Sequence, residues 1–130
     1  MDEDRRPGPF SEDLELRVVS GPPKYTSRTD KPVEHITLAD ARDVVIGYIY
    51  ANDDDDAAGW VARAEADSEA WNLAARWARM LMDAKRRGLK PSGALDEMIR
   101  AGSDARSHVV PGSRRTAAGL AALRKLATAT

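Results

Sequence analysis

The chain contains no cysteine. That absence excludes disulfides, thiolate nucleophiles and cysteine-ligated zinc together. Large aromatic side chains are scarce, with three Trp, three Tyr and one Phe in 130 residues. Much of the apolar content is alanine, which favours helix but buries little area, so core stability has to come from a few bulky groups. No run approaches the roughly 18 apolar residues of a membrane span. The charged start Met1-Asp2-Glu3-Asp4-Arg5-Arg6-Pro7 has no apolar stretch behind it, as a signal peptide requires. The expectation is a soluble cytoplasmic protein, with an Ala/Arg/Asp-rich composition that suits a high-GC bacterial genome. No serine sits in a nucleophile-elbow pattern and no Gly-rich loop follows a strand, so a non-enzyme without a cofactor is expected.

The length suits one compact domain. Its net charge of −1 conceals an asymmetry: residues 1–70 carry 17 acids and 8 bases, whereas residues 71–130 carry 4 acids and 12 bases. Either the two halves neutralise each other across the fold, or the basic half is a polyanion-binding end. The candidate nucleic-acid contacts are Lys85, Arg86, Arg87, Lys90, Arg114 and Arg115, because phosphate recognition gathers such charge on one face. The turn Arg87-Gly88-Leu89-Lys90-Pro91-Ser92 has a helix-turn-helix look. Asp96 and Glu97 follow, however, where a recognition helix would meet phosphates.

Local patterning predicts an all-α, or mainly α, fold: an irregular three- to four-helix bundle around one long central helix. An extended, partly disordered N-terminal segment precedes it, with short strands at Leu14–Val18 and Val33–Ile36. Residues 1–13 read as a disordered acidic tail, 14–102 as the helical domain and 103–130 as a basic C-terminal segment. Leu38, Ala41, Val45, Tyr48 and Ile49 recur at helical spacing behind Thr37 and Asp40, which resemble a capping box, so a helix is expected over 37–51. The long helix is expected over 57–87, ended by Lys85, Arg86, Arg87, Gly88 and Pro91, with Asp67-Ser68-Glu69 as a point where it could split. A third helix follows over 92–101, capped by Ser92, and a fourth near 114–127.

On the long helix, Trp60, Ala64, Trp71, Ala75, Ala78 and Met82 form one stripe, and Ala66, Ala70, Leu73, Trp77, Met80 and Ala84 form a second beside it. Together they cover about twice the ~100° apolar arc of an ordinary surface helix. The remaining segments supply few large groups to cover so broad an arc. The chain is therefore expected to be a non-enzymatic protein-interaction or regulatory protein, a homodimer or a partner-binding surface, through Trp60, Trp71, Trp77, Met80 and Leu73.

The aspartate run is the sharpest local motif. In Asp54-Asp55-Asp56-Ala57-Ala58-Gly59-Trp60-Val61-Ala62-Arg63-Ala64-Glu65, Asp54 and Asp56 fall at positions 1 and 3, Gly59 at 6 and Glu65 at 12 of a calcium loop. In this stretch the sequence resembles an EF-hand, which implies a calcium-responsive module with Asp54, Asp56 and Glu65 as metal ligands. Ala58 and Ala62 depart from the pattern by offering no side-chain oxygen. The competing reading is an acidic run that caps the following helix. His35 and His108 lack a second histidine at ligand spacing, and Asp40 with Asp43 read as exposed helix acids.

Overall fold

The computed structural model describes residues 24–101 and 106–129. The strand expected at Leu14–Val18 and the acidic tail over 1–13 lie outside the described residues. The chain forms β1 (Val33–Asp40), β2 (Val45–Asn52), β3 (Ala57–Ala62), α1 (Ser68–Arg86), α2 (Pro91–Ala101), β4 (Ser107–Val109), β5 (Arg115–Ala117) and α3 (Leu120–Ala129). All strand pairs in the five-stranded sheet are antiparallel. β2 lies between β3 and β1, and both β4 and β5 pair with the far side of β1, at Leu38–Asp40 and Val33–His35 respectively. The expected helical bundle is therefore incorrect: this is an α/β fold built on a sheet.

The helix expected over 37–51 is a β-hairpin instead. Val44-Val45-Ile46-Gly47-Tyr48-Ile49-Tyr50 is dense in β-branched and aromatic residues, which prefer a pleated surface. Asp40 does not cap a helix. Its Oδ1 accepts from the backbone N–H of Arg42 at 2.8 Å and of Val44 at 3.0 Å, which closes the turn between β1 and β2. The pleat separates Tyr48 from Leu38 and Ile49, which the helical reading placed on one face with it. Ile36, Leu38 and Ile49 enter the core under α1 and α2, while Val33, Tyr48 and Tyr50 enter a second core with Leu120 and Leu123 of α3.

The long helix expected over 57–87 starts only at Ser68, since residues 57–62 form β3. A hairpin turn made by the aspartates leads into it: Asn52 Oδ1 accepts from the Asp55 N–H at 2.8 Å, and Asp56 takes a left-handed φ of 52°. Two aromatic–glycine contacts weld β3 to β2. A Cβ at Gly59 would fall 2.6 Å from the Tyr50 hydroxyl, and one at Gly47 would fall 2.3 Å from the Trp60 ring. Each glycine therefore makes room for a ring lying over its neighbouring strand. The helix begins only after Asp67, whose side chain caps it by accepting from the Ala70 N–H at 2.9 Å. Its C-terminus falls where the basic turn and Gly88 place it, with Leu89 N–H returning to Ala84 O at 3.0 Å.

α2 keeps its expected position, but its cap comes from a distance. Asp53 accepts from both the N–H and the hydroxyl of Ser92, at 2.8 and 2.6 Å. The hairpin turn thus fixes the start of α2 against the sheet.

Candidate functional site

α1 has two apolar stripes with different fates. Its inner stripe, Ala70, Leu73, Ala74, Trp77, Leu81 and Ala84, is buried against the sheet and α2. Trp77 is fully enclosed and its indole N–H donates to Ser107 Oγ at 2.9 Å, so its one polar atom is satisfied inside the core. The outer stripe is Trp71, Ala75, Ala78 and Met82, spaced i, i+4, i+7 and i+11. Trp71 is 55% exposed, the largest apolar side chain left so open among the described residues. Ala75 is exposed and Ala78 and Met82 are half-buried.

The five interaction residues expected from sequence therefore divide. Trp77 and Leu73 are core, and Met80 is half-buried against that core. Trp60 and Trp71 meet at the surface from different elements, edge-to-face with ring centroids 6.3 Å apart. Trp60 lies over Gly47 on the α1 side of β3, and its indole N–H is buried with no acceptor among the described residues. The pair makes a rigid apolar ledge.

Directly beside that ledge runs an open strand edge. Arg63 N–H bonds inward to Ile46 O of β2 at 3.1 Å, and Ala58 N–H bonds outward to Thr26 O at 3.0 Å. Alternation along an antiparallel strand then directs the peptide groups of Gly59 and Val61 to β2 and those of Trp60 and Ala62 to the edge. Beyond Ala62 the edge closes again, because Ala64 N–H bonds to Ala127 O at 3.2 Å. A window two residues wide is left, bounded by Thr26 and by the end of α3. Peptide groups at such an edge have no strand partner among the described residues, and an unpaired edge of this kind is a template for another strand. Reading 57–62 as helix hid this feature. The visible signal was Tyr50 and Trp60 each matched to a glycine on the adjoining segment.

The basic candidates are largely consumed by acids. Arg87 makes a two-pronged pair with Glu97 at 2.7 and 2.6 Å and also reaches Asp83 at 2.9 Å. The Arg87 guanidinium holds the Glu97 carboxyl below its ordinary range. Arg86 pairs with Asp83, Lys85 with Asp56, and Arg114 with both Glu34 and Asp96. Arg115 donates to the carbonyls of Gly112 and Arg114, and Lys90 is exposed. Two of these pairs, Lys85 with Asp56 and Arg114 with Glu34, join the acidic half to the basic half, as does Arg106 with Glu69, and His108 Nε2 lies 3.0 Å from Asp43. The charge asymmetry of the sequence is thus met by contacts across the fold.

The aspartate run is used one residue at a time. Asp53 caps α2, and Asp55 accepts from Thr29 and Lys31 at 2.6 and 2.9 Å, bonds that hold its carboxyl below the usual carboxylate range. Asp56 holds Lys85, and Asp54 is exposed. Asp54 and Asp56 sit in the turn before β3 while Glu65 follows β3, so a strand separates the three expected calcium ligands. Among the described residues no group of three or more His, Asp or Glu side chains is placed to hold a metal ion. A broad cleft of about 940 Å³ opens between residues 27–30 and the start of α3, lined by Arg28, Asp30, Asp55 and Arg124 among others. It has neither histidine nor paired free carboxylates at its wall. His35 is buried on the α3 side of the sheet, edge-on to Tyr48 at 5.8 Å, and burial, aided by Arg115, lowers its pKa.

No helix among the described residues is long and apolar enough to cross a membrane. No protein-family model matches this chain, and neither a curated protein nor a solved structure is similar to it.

Proposed function

We propose that this chain is a non-enzymatic interaction protein of regulatory type, which self-associates through the outer face of α1 and the adjoining ledge. The observation that carries the reading is Trp71, 55% exposed yet set edge-on against Trp60, beside a stretch of β3 with no strand partner among the described residues. An exposed tryptophan fixed by a second ring loses little conformational freedom on binding, which is why such residues anchor interfaces. The apolar surface continues along Ala75, Ala78 and Met82, so a partner can bury a strip rather than a single side chain. Two features support self-association and interaction over chemistry. Near the ledge Asp67 caps α1 and Glu69 pairs with Arg106, and the broad cleft has no histidine at its wall.

Sedimentation equilibrium over a range of concentrations tests this. The wild-type mass is expected to rise from 14.2 kDa toward twice that value. Trp71→Arg is expected to stay at the single-chain mass with an unchanged far-UV spectrum. A wild-type chain that stays at the single-chain mass throughout overturns the reading.

A further inference from the structure

Resting on that reading, we infer that two copies join edge to edge through β3, antiparallel about a two-fold axis at Val61. Trp60 of each copy then faces Ala62 of the other. The two five-stranded sheets become one continuous sheet across the axis.

The register follows from which peptide groups are free. In an antiparallel ladder, a hydrogen-bonded pair of residues exchanges both its N–H and its C=O groups. Only Trp60 and Ala62 present both groups outward without a partner among the described residues, since Thr26 occupies the edge at Ala58 and Ala127 occupies it at Ala64. Pairing Trp60 with Ala62 of the second copy, and Ala62 with its Trp60, satisfies all of these groups in both copies. A shift of two residues sets a free group against one already bonded to Thr26 or Ala127. The window is thus complementary to itself at one register.

The helices agree with that arrangement. An axis perpendicular to the sheet keeps both α1 helices on the same face and runs them antiparallel. The Trp60–Trp71 ledge lies beside that axis, so the Trp71 rings of the two copies approach each other across it, and the apolar strip runs on from there through Ala75, Ala78 and Met82. Antiparallel packing also opposes the helix dipoles favourably. Glu65, at the N-terminal side of α1, and Arg79, in its C-terminal half, are exposed and have no ion pair among the described residues. Reversal of one copy sets the acidic end of one strip toward the basic end of the other, a complementarity that favours a second copy over a foreign strand.

Because the chain has no cysteine, one substitution reads the register directly. At a two-fold through a non-hydrogen-bonded pair the Cα atoms lie about 4.5 Å apart, within the disulfide range. Val61→Cys is therefore expected to form a disulfide-linked dimer under mild oxidation, whereas Ala122→Cys, on the exposed side of α3, is not. Ala62→Pro removes one outward N–H per copy and leaves the bonds to β2 in place, so it is expected to weaken association at least roughly tenfold with the far-UV spectrum retained. If the wild type dimerises while Val61→Cys fails to cross-link and Ala62→Pro associates normally, the register is wrong and the Trp71 reading stands. If the wild type is monomeric, both fall. If the chain is monomeric but an added valine–threonine hexapeptide shifts the Trp60 and Ala62 amide resonances, the edge belongs to a foreign strand, which also overturns the inference.

Discussion

Trp77 and Trp71 lie six positions apart on α1 and have opposite environments. Trp77 is sealed among Ile36, Leu38, Leu95 and Met98, with its N–H bonded to Ser107. Trp71 stands 55% open on a ledge with Trp60. The inner stripe of α1 is thus spent on the fold, while the outer stripe contributes little to it. Among the described residues, that outer apolar surface is uncovered and lies next to backbone groups that the sheet leaves unpaired, the combination on which the proposed association rests.

Substitutions along this axis separate the two roles. Trp77→Ala is expected to cost the most, about 3–5 kcal/mol in urea unfolding, because it opens a cavity in the core and removes the hydrogen bond to Ser107 Oγ. A loss under ~1 kcal/mol would mean that the inner stripe is not the core. Asp53→Ala comes next: losing the cap on Ser92 is expected to cost roughly 1 kcal/mol, and the helical far-UV signal should weaken first at α2.

A smaller effect comes from His35. Its folded pKa lies below the usual value of about 6.5, so below that pH the unfolded chain binds more protons than the folded one. Stability is full above the unfolded pKa and falls as pH drops through the window between the two values. His35→Phe should flatten that slope. An identical pH profile for the variant would show that the histidine is not held neutral. Smallest of all, Trp71→Ala should change the unfolding free energy of dilute protein by no more than about 0.5 kcal/mol, as for other surface sites. A large loss would make Trp71 part of the core and erase the contrast.

The parts of the fold legible in the sequence were those governed by local chemistry. The end of α1 was marked by Lys85, Arg86 and Gly88, α2 by its leucine and methionine spacing before Gly102, and the break at Asp67 by a capping residue. Strand character at Val33–Ile36 was also visible, though β1 continues to Asp40. β2 and β3 were misread because alternation over a short strand can mimic helical spacing when both faces are buried. Leu38, Val45, Tyr48 and Ile49 all find cores, on opposite sides of the sheet. The β-branched and aromatic density over Val44–Tyr50 was the stronger signal, and the turn-forming Asn52–Asp56 run confirmed it. For the candidate site, Trp60 and Trp71 were read, together with Trp77, Met80 and Leu73, as interaction residues on one common helix. They meet instead through tertiary packing, and the strand edge beside them had no local signature. Trp77 and Leu73 could not be told from their exposed neighbours, since periodicity identifies an apolar stripe and tertiary contact decides which stripe is covered.

The most direct measurement of the central claim is amide hydrogen exchange, resolved by residue, in dilute and concentrated solution. Trp60 and Ala62 are expected to exchange rapidly when dilute and to become protected as the protein is concentrated, while Gly59 and Val61, bonded to β2, are protected in both. Rapid exchange at Trp60 and Ala62 regardless of concentration would contradict that claim.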